Sequence, residues 1–118
     1  LIRSGAPHAF SIHLSAEQPV FGPEVSLAFY DQNATLVSSV STKSRGVHID
    51  QIHGHRVVTL EIDEFPLAEG TYELSCSVLD DSGQRELDVR SRFVRFDVLK
   101  GELGDGGLVT LAGSWNIH

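Results

Sequence analysis

Three histidines come closest to the residue pattern of a metal site. His48, His53 and His55 occur within eight residues, in GVHIDQIHGH, and Asp50 lies between them. Imidazole and carboxylate groups are ligands for zinc and nickel. The segment reads as a loop, however, and no HExxH-type general base accompanies it. We therefore predict no metal and no cofactor, and a metal-dependent enzyme stays as an alternative that elemental analysis of the purified protein would test.

Other catalytic patterns are missing from the sequence. The glycine-rich segment KGELGDGG lacks the Walker pattern GxxxxGK[ST], and its Glu102 and Asp105 would repel a phosphate. No GxSxG motif is present, and Cys76 falls at an inward position of the alternating run TYELSCSVL, which is typical of a packed core residue. We expect this chain to have no catalytic activity.

A polar and partly aromatic surface is the remaining candidate site. Ser11 and His13 share one side of the predicted strand AFSIHLSA, and Ser26 and Tyr30 share one side of EVSLAFYD. Such a surface is either an ordinary solvated face or a shallow platform for a neutral polymer, where a ring packs on an apolar patch and hydroxyls fix its orientation.

Composition excludes several other functions. The 118 residues are enough for one domain with one core, and the formal charge of −7 argues against nucleic acid and anionic membranes as partners. No apolar run approaches the length of a membrane span, and no signal peptide is evident. The chain begins LIRSG and contains no Met, so we expect a fragment of a longer protein.

Period-two alternation predicts an all-β fold. Apolar residues occupy alternate positions of four runs: Phe10, Ile12 and Leu14; Val25, Leu27 and Phe29; Val58, Leu60 and Ile62; Tyr72, Leu74, Cys76 and Val78. The run LVSSVST is a further strand, in which Leu36 and Val40 compete with Val37 for the inward side. Seven or eight short strands separated by turns predict an antiparallel β-sandwich.

Three segments interrupt this pattern. EQPVFGP, with two prolines and a glycine, reads as a loop or an irregular edge, and residues 42–55 read mainly as loop. In RELDVRSRFVRFDVL, one side of the strand carries Leu87, Val89 and Phe93, and the other carries Val94, Phe96 and Val98. This change of side predicts a bulge or a crossing between sheets.

The chain ends in another apolar run, GGLVTLAGSWNIH. Alternation places Leu108 opposite Val109 and Leu111, and Trp115 follows. Chain ends fray unless something holds them, so this run needs a docking surface. Exchange into the sheet of a second copy would supply one and would make a dimer, and docking on the chain's own sheet is the alternative.

Several of these segments together resemble a known family. The N-terminal stretch SGAPHAFSIHLSAEQPVFGPEVSLAFYDQNATLVSS, the central stretch FPLAEGTYELSCSVLDDSGQ and the closing RFVRFDVLKGELGDGGLVTLAGSW are similar to the C-terminal domain of the ATP-binding subunits of bacterial O-antigen polysaccharide ABC exporters. The most specific matches are Leu67, Gly70 and Tyr72 in PLAEGTYEL, the DDSG turn, and GGLV followed by Trp115.

This resemblance implies a function and partners. It implies an immunoglobulin-like or jelly-roll sandwich, behind an upstream ATPase domain, that binds the exported O-polysaccharide at the cytoplasmic face of the inner membrane. It also implies association with the transporter's membrane subunit and a homodimer that exchanges its last strand. We predict sugar contacts at Tyr30, His13, Ser26 and Ser11, with Arg92 and Arg95 added if the polymer is acidic. A structural or dimerisation module without a ligand is the alternative.

Overall fold

The fold is a sandwich of two β-sheets. The computed structural model describes residues 1–101, 109 and 113–117. The strands in this part of the chain are β1 (Ile2–Arg3), β2 (His8–Phe21), β3 (Glu24–Asp31), β4 (Leu36–Ser41), β5 (Gln51–Ile62), β6 (Gly70–Leu79) and β7 (Glu86–Leu99). The larger sheet has the order β1-β7-β6-β3-β4, and the smaller one pairs β2 with β5.

Nearly all strand pairs are antiparallel, as the alternation predicted. The exception is β1, which runs parallel to the end of β7, with Ile2 opposite Val98 and Arg3 opposite Leu99. The larger sheet is therefore mixed, and the all-β sandwich itself is confirmed.

The predicted inward residues form the core. Val25, Leu27 and Phe29 of β3 are buried, and the alternate apolar residues of β2 and β5 pack against them from the smaller sheet. In β4, both Val37 and Val40 pack on the core while Leu36 is exposed. A register shift between the partners of Phe29 and Tyr30 explains how both valines face inward.

An aromatic cluster joins the two sheets. Phe65, in the connector after β5, is 1% exposed and lies beside Phe10 of β2 and Phe96 of β7. Tyr72 stacks on Phe96 with a ring centroid separation of 5.9 Å. Because these rings come from both sheets and from a connector, they fix how the two sheets face each other.

One predicted loop is wrong in part, and the segment EQPVFGP takes the second of its two predicted forms, an irregular edge. β5 begins at Gln51, so the predicted loop 42–55 stops five residues early and His53 and His55 lie on a strand. β2 continues through Pro19 to Phe21, with a register shift between Ala16 and Val20. Pairing between β2 and β5 holds these segments in strands, although their polar or proline-containing sequences favour loops.

The predicted irregularity in β7 is a bulge. Leu74 pairs with Val94 and Cys76 pairs with Arg90, so three residues of β7 lie opposite Ser75. Arg92, in the middle of them, has a φ of 42°. The two extra residues keep the alternation in phase, so Val89, opposite Ser77, faces outward, whereas Val94, opposite Leu74, faces inward.

Little of the C-terminal run is described. Val109 forms an isolated antiparallel bridge with Leu67, while the side chains of Trp115 and Ile117 are 98% and 99% exposed. Leu108 and Leu111, which we expected in the same strand, lie outside the described residues.

Candidate functional site

The polar residues predicted to form one platform lie on two. Ser11 and His13 alternate with the inward-facing Ile12 of β2, so they face outward from the smaller sheet. Ser26 and Tyr30 alternate with the inward residues of β3 and face outward from the larger sheet. The two pairs are on opposite sides of the sandwich, because alternation fixes a side of a strand but not the sheet to which the strand belongs.

The outward side of the larger sheet is rich in hydroxyl groups. Ser26 lies between Ser41 and Ser77, and Ala28 lies between Ser39 and Ser75 on the neighbouring strands. We call this surface the hydroxyl face and define it by Ser26, Tyr30, Ser39, Ser75, Ser77 and Arg95. Its centre is flat, since its side chains are serine or alanine.

The predicted arginines lie on this same face. Tyr30 is opposite Glu73, and Glu73 is opposite Arg95, so Tyr30 and Arg95 lie two strands apart, about 10 Å by the usual strand spacing. At the bulge, the backbone N–H of Arg92 donates to Ser75 Oγ at 2.6 Å. The structure therefore brings together Tyr30, Ser26, Arg92 and Arg95, and separates them from Ser11 and His13.

The hydroxyl face is chemically suited to a neutral hydroxylated ligand. Within the described residues, no hydrogen bond uses the hydroxyl groups of Ser26, Ser39 or Ser77. Each hydroxyl can donate one hydrogen bond and accept two. The Tyr30 ring at the margin offers an apolar surface, so the face combines stacking with orientation by hydrogen bonds.

The outward side of the smaller sheet is built differently. Ser11 Oγ and Thr59 Oγ1 are 3.2 Å apart and share a hydrogen bond across the two strands. His13 Nδ1 is 3.4 Å from His55 Nε2, and the two rings are tilted by 38°. Sequence reasoning missed Thr59 and the pairing of His55, because the contacts join positions more than forty residues apart.

The histidine cluster GVHIDQIHGH does not assemble as a cluster. His48 Nε2 lies 3.2 Å from the carboxylate of Asp50, and both side chains are exposed. In the part of the chain that the structure describes, no group of three or more His, Cys, Asp and Glu side chains is placed to hold a metal ion. The spacing of the histidines in GVHIDQIHGH therefore gives no support to a metal-dependent enzyme.

Cys76 lies beside an open cleft between the sheets. The cleft of about 440 Å³ is lined by Phe10 of β2, Cys76 of β6 and, from β7, Phe93 and an ion pair of Asp88 with Arg90. Burial raises the pKa of the Cys76 thiol, and the nearby Asp88 carboxylate raises it further. A thiol kept protonated is a poor nucleophile.

Together, the fold and these surfaces define a β-sandwich domain with two polar outer faces. The family model of the Wzt C-terminal domain matches residues 1–111, so the chain belongs to this family. A crystal structure described as that of the C-terminal domain of Wzt has a TM-score of 0.86 to this chain, at 18% sequence identity. The match covers 99% of this chain and 73% of the other, and it shows the fold. No curated protein matches in sequence.

Family membership sets the general role of the chain. Wzt C-terminal domains are non-catalytic domains of O-antigen ABC transporter systems. Among the described residues, no helix has the length and apolar character needed to cross a membrane.

Proposed function

We propose that the chain is a carbohydrate-binding domain that holds O-antigen polysaccharide for export by an ABC transporter. In this proposal it follows an ATPase domain in a longer chain, works at the cytoplasmic face of the inner membrane and associates with the transporter's membrane subunit. The Wzt C-terminal family supports the transporter context. The hydroxyl face, with serine hydroxyls that no described residue uses, is the observation that carries the binding function.

The chemistry of the face favours sugar hydroxyls over charged groups. The chain has a net charge of −7, so it attracts no polyanion from a distance. Tyr30 offers a ring on which a pyranose can pack, and Ser26 and Ser77 supply hydrogen bonds beside it. Arg95 and Arg92, at the other side of the face, would contact acidic substituents where the polymer carries them.

A homodimer would strengthen such a weak site. Two copies on one exporter make the second contact with a long polymer effectively intramolecular, so that overall affinity rises without new contacts. We propose that the C-terminal run is exchanged between the two copies. The nearly complete exposure of Trp115 and Ile117 supports this, because two large apolar side chains are left to be covered.

Calorimetric titration with the O-polysaccharide of the producing strain tests the binding site. Tyr30→Ala removes the ring, and we expect affinity to fall about tenfold, which corresponds to ~1.4 kcal/mol. Tyr30→Phe keeps the ring and serves as the matched variant, with affinity close to the original. Ser11→Ala, on the opposite side of the sandwich, should leave the affinity unchanged if the hydroxyl face binds the polysaccharide.

Two outcomes would contradict this choice of face. Unchanged affinity in both Tyr30→Ala and Ser26→Ala would remove the hydroxyl face from consideration. Weaker binding in His13→Ala alone would instead assign the polysaccharide to the outward side of the smaller sheet.

A structural or dimerisation module without a ligand is the second candidate. The exposed apolar side chains of Trp115 and Ile117 favour it, since a subunit contact would cover them. Capture of polysaccharide from the producing strain, but not of an unrelated O-type, separates the candidates. A chain that dimerises and captures neither polysaccharide has the structural role alone.

A further inference from the structure

The outward side of the smaller sheet carries a pair of histidines from neighbouring strands. His55 lies opposite Ser15 in the β2–β5 register, and His13 lies opposite Val57, so the two rings meet on a diagonal. His13 Nδ1 and His55 Nε2 are 3.4 Å apart, and the ring centroids are 5.4 Å apart. Both side chains are exposed, so an ion reaches them directly from solvent.

The separation of these two nitrogens matches that of two ligands on one metal ion. Zinc–imidazole bonds of about 2.0–2.1 Å at a tetrahedral angle place the two nitrogens about 3.3 Å apart. One nitrogen of each ring is thus already at a chelating distance. The two rings can instead form a hydrogen bond at this distance, but only when one imidazole nitrogen carries a proton and the other accepts it.

The strands hold the pair in place. His13 and His55 are on paired strands, and Ser11 is hydrogen-bonded to Thr59 two residues beyond His13 on the same outward side. Neither ring therefore has to be recruited from a loop before it binds. Preorganisation of this kind lowers the entropic cost of binding an ion.

We propose that His13 Nδ1 and His55 Nε2 together bind one divalent transition-metal ion of the zinc, nickel or copper type. Water molecules complete the coordination, because within the described residues no third His, Cys, Asp or Glu side chain joins the pair. Hard cations such as Mg²⁺ are excluded, since they prefer oxygen ligands. This proposal does not rest on the function proposed above.

Titration of the 118-residue chain, carrying no polyhistidine tag, with ZnCl₂, NiCl₂ and CuSO₄ tests this site. We expect one ion to bind per chain, with Cu²⁺ tightest in accord with the order of divalent-metal affinities, and no binding of Mg²⁺. His13→Ala and His55→Ala should each weaken binding about tenfold or more, because each leaves a single ligand without the chelating partner. Binding should also weaken in acid, since protons compete for the imidazole nitrogens.

His53→Ala is the matched control. It removes an exposed histidine from β5, two residues from His55, and should leave the metal affinity unchanged. The ¹⁵N shifts of the histidine side chains, measured with Zn²⁺, provide a second readout and should change at His13 and His55 only. Absence of binding at millimolar metal, or equal losses in His53→Ala and His55→Ala, would overturn the proposal. Either result leaves the polysaccharide titration and its outcome unaffected.

Discussion

Tyr72 is deeply buried in the core, and its side chain carries a polar atom that must be hydrogen-bonded. The side chain is 2% exposed, and its hydroxyl donates to the carbonyl oxygen of Ala68 at 2.7 Å. The bond ties β6 to the connector that precedes it. A buried carbonyl that loses such a donor costs more free energy than the bond itself contributes, because no water replaces the donor.

Tyr72→Phe should therefore destabilise the chain without disturbing its packing. We expect the free energy of unfolding to fall by ~1–2 kcal/mol, which urea denaturation followed by circular dichroism measures. Tyr30→Phe changes an outward-facing residue in the same way and should alter stability little. Equal effects of the two substitutions would contradict a special role for the Ala68 contact.

Tyr72 should also make the stability of the folded chain fall at alkaline pH. Burial raises the pKa of Tyr72, and the negative charge of Asp31 adds to the increase. The unfolded chain, with its ordinary pKa of about 10, therefore ionises first and gains stability relative to the folded chain as the pH rises. Stability should be lost above about pH 10, and Tyr72→Phe should lose less of it there than the unchanged chain does. An identical pH profile for both would argue against this coupling.

At the scale of the elements, the bulge in β7 depends on an unusual backbone conformation. Arg92 has a φ of 42°, in the left-handed region that side chains with a Cβ disfavour, whereas Arg95 pairs regularly with Glu73. Glycine adopts the left-handed conformation without this cost but weakens a regular strand.

The two arginines of β7 should therefore respond oppositely to glycine. We expect Arg92→Gly to be more stable than Arg95→Gly by ~1–2 kcal/mol, as measured by chemical denaturation. Both substitutions replace an arginine of β7 by glycine, so the two variants lose the same side chain and the same charge. Equal stabilities would show that the φ of Arg92 carries no strain.

The strands themselves were largely predictable from sequence. Alternation identified the inward sides of β2, β3, β5 and β6, and the irregularity predicted in the last long run is the bulge between Arg90 and Val94. The start of β5 was missed because His53, Gly54 and His55 show no apolar alternation, and pairing with β2 holds them in a strand. The parallel pairing of β1 was missed because two residues are too short to show a pattern.

The candidate site was predictable only in part. Tyr30, Ser26 and Arg95 do share a face, but the sequence could not show that β2 belongs to the other sheet and carries Ser11 and His13 away from them. The contact between His13 and His55 depends on the register of β2 and β5, two paired strands that are far apart in the sequence. Alternation within one strand contains no information on that register.

At the scale of the whole molecule, the C-terminal run is the candidate dimer contact. Val109 bridges Leu67 within one chain, which favours docking of the run on its own chain, whereas the 98% exposure of the Trp115 side chain favours a contact with a second copy. Burial of a large exposed indole against a second copy would be favourable, because it removes apolar surface from water.

Deletion of residues 107–118 tests the exchange of this run. We expect the shortened chain to be monomeric or insoluble, as measured by light scattering after size-exclusion chromatography. Trp115→Ala keeps the backbone of the run and should weaken the dimer without abolishing it, since strand pairing persists. A dimer that survives the deletion intact would contradict the exchange.

The parallel pairing of β1 with β7 has a consequence for the order in which the molecule is made. Ile2 pairs with Val98, so β1, the first strand of the larger sheet along the chain, can find its neighbour only after β7 has been synthesised. At ordinary translation rates this takes on the order of ten seconds. During that interval Ile2, which is buried in the finished fold, has no strand beside it. β1 therefore cannot dock before β7 is made, and its pairing joins strands that are far apart in the chain, the kind of contact that slows folding.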